Sequence, residues 1–257
     1  MTTVLADATF DPPGVPDFFP PAIVAGITKP MVLLVLSVVI VAAFFLIATR
    51  DLKLVPGRLQ FTAESVYDLG RDSIAREQIG GKDFQPYVPL IVTLFSFILV
   101  NNLFGIVPLV QFPTMAHFGF PLALLVVLYP LFHVVGIRRH GLGRYLKLQL
   151  FPAGVPKPVY VLLTPIELFL RFFMDPLALA IRVFAAMFAG HLILLVFTLG
   201  GEFLLLEASA VLKPVSVVAF AFAIAMTFLE ALVQVLQAYI FALLTANYIG
   251  RALASDH

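Results

Sequence analysis

VYVLLTPIELFLRFFMDPLALAIRVFAAMFAGHLILLVFTLGGEFLLL, residues 159–206, is the stretch on which the fold turns. It is almost unbroken Leu, Ile, Val, Phe, Ala and Met over 48 residues. As one straight α-helix it would measure about 72 Å, at ~1.5 Å per residue, against a bilayer hydrocarbon core of about 30 Å. Two arrangements satisfy that length: two passes turning near Asp175-Pro176, or one long, bent and steeply tilted path. Residues 211–254 pose the same problem, with more than 40 residues and no break. A hairpin needs polar, flexible residues at mid-segment. The first segment offers Pro176 and Gly190, and the second offers nothing comparable. Two consecutive over-long segments favour tilt, with Glu202, Glu207 and Lys213-Pro214 marking the turn between them.

The rest of the chain belongs to the same solvent. Of its 257 residues, 61% are apolar and only 12% charged, with a mean hydropathy of +1.04. Soluble domains run near 45–50% apolar and about 25% charged, so a polytopic membrane protein is expected. Trp is absent, which leaves Tyr for the interfacial belts, and the absence of Cys excludes disulfides and thiolate metal sites. A net charge of +1 excludes bulk nucleic-acid binding. Residues 1–28 carry Asp7, Asp11 and Asp17 and lack a basic region before an apolar core, so the first apolar stretch is expected to be retained as a span.

Three early spans are read at residues 31–49, 88–110 and 121–137. Residues 50–85 connect the first two with six Lys/Arg and six Asp/Glu. Within them Leu59, Val66 and Leu69 recur at roughly helical spacing, which fits a short interfacial helix or a solvated one; Gly80-Gly81 ends it. Residues 138–157 carry Arg138, Arg139, Arg144, Lys147 and Lys157 and no acid. The positive-inside rule makes that loop cytoplasmic, which puts residues 50–85 inside, residues 1–30 outside and the C-terminus inside. The expected fold is therefore an all-α membrane protein: three early transmembrane helices, two long tilted ones and one interfacial helix.

Charges inside these greasy stretches are the functional candidates. Arg182 cannot shed its charge, and holding it near the bilayer centre costs about 2.5–3.5 kcal/mol on insertion scales. At about 100° per residue, Asp175 falls within ~20° of the Arg182 face and Glu167 about 60° away, while His191 points about 180° away. Arg171 is four residues from both Glu167 and Asp175, within ion-pairing reach. In the last segment Thr227, Glu230, Gln234 and Gln237 form one polar stripe, with Thr245 and Tyr248 continuing nearby; such a stripe must face protein or water. Each group has a bland reading. Arg182 can be half of a structural pair with Asp175, His191 a satisfied core histidine, and Glu230 a protonated, hydrogen-bonded acid. As a set they suggest a proton path, with His and Glu relaying protons and Arg supplying a permanent charge that strips a proton from an approaching acid.

At these residues the chain resembles subunit a of F-type ATP synthases, the membrane stator of bacteria and mitochondria. The resemblance rests on Pro165-Ile-Glu167-Leu, on Leu179-Ala-Ile-Arg182-Val-Phe-Ala-Ala-Met187-Phe-Ala-Gly190-His191, and on Leu229-Glu230 through Gln237-Ala-Tyr-Ile-Phe241 to Thr245. Asn102-Leu-Phe-Gly-Ile-Val-Pro108 extends it. The resemblance implies that Arg182 faces a rotating ring of c subunits and that Glu167 lines one of two aqueous half-channels. It further implies that His191 and Glu230 are an interacting pair whose members the family exchanges, and that Gln237 lies near the arginine. Asp175, Gln234, Asn102 and Tyr248 are supporting candidates. Two departures stand out: Ala186 replaces an Asn of the usual pattern, and the spacing from Glu167 to Pro176 is one residue longer.

The function implied is proton translocation coupled to ring rotation, with no bond-making chemistry in this chain. No cofactor and no metal are expected. The expected partners are a c-subunit ring, b-type peripheral stalk subunits, the soluble catalytic sector indirectly and the lipid bilayer, in a bacterial plasma membrane. The alternatives are a secondary transporter using Arg182 to bind an anionic substrate, and a membrane scaffold held by structural ion pairs.

Overall fold

The computed structural model describes residues 10–18, 21, 26–107, 110–151 and 156–254. Asp7 and Pro108 lie outside the described residues. No strand forms among those described. Helix α1 spans Lys29–Ala48, α2 Arg58–Asp68, α3 Val88–Leu103, α4 Gly119–His140, α5 Leu142–Leu150, α6 Tyr160–Leu206 and α7 Lys213–Leu253. Five of these are long and apolar enough to cross a bilayer. Proline starts several of them: Pro30, Pro89 and Pro214 sit in the first turns of α1, α3 and α7, where the missing N–H has no helical partner to lose.

The 47 residues of α6 form one continuous helical path, so the hairpin alternative is set aside. Asp175-Pro176 does not turn the chain. It opens the regular α-helical part of α6, Asp175–Leu206, directly after a π-helical turn at Leu170–Met174. A π turn closes its hydrogen bonds one residue further along than an α turn. The helix runs through this π turn without a break. At about 1.5 Å per residue α6 measures about 70 Å, so it cannot stand along the membrane normal of a ~30 Å core.

The connection expected to carry a short interfacial helix is longer and deeper than that. From Arg58–Asp68 the helix continues through π-helical Leu69–Arg76 to Glu77–Ile79, and stops where Gly80 adopts a φ of 99°. Leu59, one of the three apolar markers, is 45% exposed. The residues that are buried are Gln60, Ala63, Gly70, Ile74 and Ala75, and the second half packs on α3 and α7. Small residues allow this: a Cβ on Gly70 would lie 2.6 Å from Val92 Cγ2. Gly250 of α7 likewise faces the Gln78 carbonyl so closely that a Cβ there would overlap it. Gly250→Ala is therefore expected to destabilise the subunit by about 1–3 kcal/mol, the usual cost of overpacking backbone against backbone. Thermal melts of the purified complex would show it. Gly81→Ala, whose Cβ meets nothing within 4 Å, should melt like the parent.

The core lies where α3, α6 and α7 meet. α6 and α7, joined by the short link after Leu206, pack along each other over much of their length, and α3 and α4 pack on α7. On α7, Ala238, Ala242 and Ala246 are fully buried and let neighbouring backbones approach. Ile91, Ile98, Leu179, Val183, Met187, Phe241 and Ile249 fill the space between them. The segment between α3 and α4 also tucks inward, burying Thr114, Met115 and Ala116. The outer faces are greasy instead of polar: Val35, Leu46, Val127, Val161, Phe228 and Leu232 are all exposed, as expected of surfaces solvated by lipid tails.

Candidate functional site

Arg182 stands on the outward face of α6, exposed, beside exposed Ile181, Ala178, Ala185 and Ala189. Among the described residues its guanidinium has no ion pair and no hydrogen bond. Asp175, the structural partner considered for it, is engaged elsewhere: Arg251 Nη2 lies 3.3 Å from Asp175 Oδ2. Arg171 does not take Asp175 either; its Nε donates to Glu167 Oε2 at 2.6 Å and its Nη1 to Gln149 Oε1 at 3.0 Å. The pairing of Arg182 with Asp175 is thus absent, because the long α7 delivers a second arginine to that carboxylate. The charge of Arg182 is felt by the Tyr248 phenol, and a cation held exposed on a membrane-spanning helix is costly.

The opposite side of α6 carries His191, as its offset from Arg182 requires. His191 and Glu230 are 3% and 4% exposed, with His191 Nδ1 3.7 Å from Glu230 Oε1. That is ion-pair range and longer than a hydrogen bond. Gly190 leaves room for α7 here: its Cβ would sit 3.6 Å from Glu230 Cγ. One turn on, fully buried Gln234 donates from Nε2 to Glu230 Oε1 at 3.2 Å, and Asn102 Nδ2 donates to the Gln234 backbone carbonyl at 3.2 Å. Glu230 Oε2, His191 Nδ1, Gln234 Oε1, Asn102 Oδ1 and Gln237 Oε1 are buried without a hydrogen-bond partner among the described residues. So many buried polar atoms without a protein partner are unusual in an apolar core. Gln237 itself is half-buried on α7, and Thr227 bonds back to its own helix at Ala223 O, 2.8 Å.

A second polar cluster surrounds Asp175 on the other side of Arg182 along α6. Tyr129, His133, Tyr145, Arg171, Asp175 and Arg251 line a recess of about 50 Å³ between α4, α5, α6 and α7. At roughly 10–15 Å³ per water it has room for a few water molecules. Tyr248 Oη donates to the Asp175 carbonyl at 3.0 Å, and Arg251 lies 4.7 Å above the Tyr248 ring. The Tyr145 hydroxyl meets His133 Nδ1 at 2.8 Å, and the Tyr145 ring packs on Gly136. Burial, with Tyr129 adding to it, pushes the Tyr145 phenol up to about 12 against the lowering pull of Arg171 and Arg251. The phenol therefore keeps its proton at neutral pH.

Several of these residues were not singled out from the sequence. Ser37 and Thr114 close a buried knot around Asn101, at 2.7 Å from Asn101 Nδ2 to Ser37 Oγ and 2.6 Å from Thr114 Oγ1 to Asn101 Oδ1. The Asn101-Asn102 doublet within an apolar run was the available signal. His133, Tyr145 and Gln149 carry no such signal, because only the docking of α5 brings them to α6.

The fold and site define a class: a multi-pass helical membrane protein with two separate polar clusters and, between them, an outward arginine that has no ion pair among the described residues. The family model for the ATP synthase A chain matches residues 31–250. The chain is 44% identical to ATP synthase subunit a of a Nocardioides species over 262 residues, covering 96% of this chain and 95% of the relative. It is 46% identical to that of Pseudarthrobacter chlorophenolicus over 252 residues, covering 96% and 94%. It is 38% identical to that of Rhodococcus erythropolis over 261 residues, covering 100% and 94%. The chain belongs to the ATP synthase A chain family, and it is a multi-pass membrane protein of that synthase's membrane sector.

Proposed function

We propose that this chain is the stator that couples proton flow to rotation of a ring of small membrane subunits, and so to ATP synthesis. Protons enter from outside through the buried cluster of Asn102, Gln234, Glu230 and His191, with Gln237 lining its ring-facing end. They neutralise a carboxylate on a c subunit, which can then turn into lipid. After nearly a full turn the acid reaches Arg182, surrenders its proton, and the proton leaves to the cytoplasm through the recess at Asp175 and Tyr248 and past Glu167, which pairs with Arg171 at its edge. Arg182 cannot carry a proton, so it keeps the two clusters apart. Each proton crossing supplies about 2.3 kcal/mol per 100 mV, so several are needed per ATP. Peripheral stalk subunits hold the chain against the ring's drag, the N-terminus lies outside and the C-terminus lies in the cytoplasm.

The observation that carries this reading is Arg182, exposed and without an ion pair among the described residues, beside an Asp175 already held by Arg251. A secondary transporter would instead keep its binding arginine inside its own substrate pocket. The test is purification through a tag on this chain in mild detergent. Small hydrophobic ring subunits and a stalk should come with it, and a density map should place a c-subunit helix against Arg182. A chain that purifies alone or as a homo-oligomer, with lipid against Arg182, would end the proposal.

A further inference from the structure

We infer that Gly105 is a positioning residue for the proton path: the missing side chain is the seat of the Gln234 amide that holds Glu230 toward His191. This rests on the stator reading above. Gly105 is buried in the turn just after α3. Its φ is not in the left-handed region, where only Gly26, Gly80 and Gly141 among the described glycines lie, so backbone freedom does not explain it. Space does. A Cβ at Gly105 would lie 2.9 Å from Gln234 Nε2, 3.1 Å from Pro113 Cβ and 3.2 Å from the Asn102 carbonyl oxygen.

Of these three neighbours only the amide can move. The Gly105 N–H donates to the Asn102 carbonyl at 2.9 Å, and the Phe112 N–H donates to the Phe104 carbonyl at 3.1 Å. Lys29 Nζ holds the same loop at the Val110 carbonyl, 2.7 Å. The turn is thus pinned on both sides of Gly105, and Pro113 is a closed ring. An added methyl must push the Gln234 amide away, and that amide is the donor to Glu230 Oε1, the oxygen facing His191. Losing it leaves the carboxylate free to rotate off the histidine, since among the described residues no other group donates a hydrogen bond to Glu230 Oε1.

The test is a double-mutant cycle in inverted membrane vesicles, reading ATP-driven proton pumping per assembled complex. Gly105→Ala and Gln234→Ala should each lower pumping by on the order of fivefold to tenfold, the scale of losing one ordinary hydrogen bond. The double variant should pump like Gln234→Ala alone, since the methyl then has no amide to displace. The pH profile of pumping should move equally in both single variants. If Gly105→Ala fails to assemble alone but assembles beside Gln234→Ala, the clash with the amide is established directly. Unchanged pumping in Gly105→Ala, a double loss equal to the product of the singles, or failure to assemble in both backgrounds would overturn the inference. Arg182→Ala runs alongside: if it pumps normally the stator reading itself fails, whereas a dead Arg182→Ala with an additive cycle rejects only the role of Gly105.

Discussion

Arg182→Ala is expected to abolish ATP-driven proton pumping while the complex still assembles. Among the described residues the side chain makes no hydrogen bond and no ion pair, and it stands on an exposed face, so its removal opens no cavity and breaks no network among them. Relief of the cost of a membrane-embedded cation, about 2.5–3.5 kcal/mol on insertion scales, further argues that the variant folds. On the proposed function, what is lost is the charge that makes an arriving carboxylic acid release its proton. Without it the acid stays neutral through the stator at neutral pH, and rotation moves no net proton. Pumping should fall by at least about 100-fold, in keeping with the loss of a positioned group acting on the proton being transferred. A second measurement separates the two tasks given to this residue. Vesicles stripped of the soluble sector should leak protons faster with Ala at this position, because the electrostatic barrier between the two clusters is gone. Pumping at the parental rate would end the account.

The second large effect concerns His191 and Glu230. Glu230→Leu, close in size and apolar, should lower pumping by about tenfold or more, because it removes a proton-carrying group from the entry cluster and leaves His191 buried alone. The exchange His191→Glu with Glu230→His should retain most of the activity. The pair is almost wholly enclosed and its facing atoms are 3.7 Å apart, so the exchange keeps the same two chemistries in the same enclosure. Either half of the exchange alone should fail, since two buried carboxylates or two buried imidazoles share no complementary charge. Pumping is again read in inverted vesicles, normalised to assembled complex. An exchange no better than its single halves would show that the pair is structural and not part of the path.

Much of this was legible before any coordinates, and for a definite reason. The bilayer is a strong constraint: apolar runs must be helices, and any ionised residue inside them is costly enough to be there for a purpose. The residues 159–206 therefore declared a long helix and marked Arg182. The offset of nine residues placed His191 on the opposite side from Arg182, and the structure does bury one and expose the other. The same arithmetic could not name the partner of Asp175. Its 20° offset made it a plausible partner for Arg182, yet periodicity along one helix says nothing of what a second helix brings. Arg251, 76 residues away, is the group that reaches it.

The interfacial helix shows the other limit. Leu59, Val66 and Leu69 gave the right element, but the buried face is set by small residues, Gly70 and Ala75, packed on α3 and α7. Apolar periodicity finds greasy faces; it does not find the close approaches that Gly and Ala permit. The recess around Tyr145 and His133 was hidden for a related reason, since it exists only once the short α5 folds back onto α6.

From composition and spacing alone came the membrane class, the five long helices, the single-path reading of the two over-long segments and the charged candidates. Those follow from the cost of exposing backbone and charge to lipid, which is a property of each segment by itself. Which charges are paired, which one is left free, and which buried polar atoms meet are matters of contact between segments far apart in the chain. Only the packing of α3, α5, α6 and α7 decides them, because ion pairs and hydrogen bonds act over a few ångströms and helix offsets fix direction without fixing neighbours.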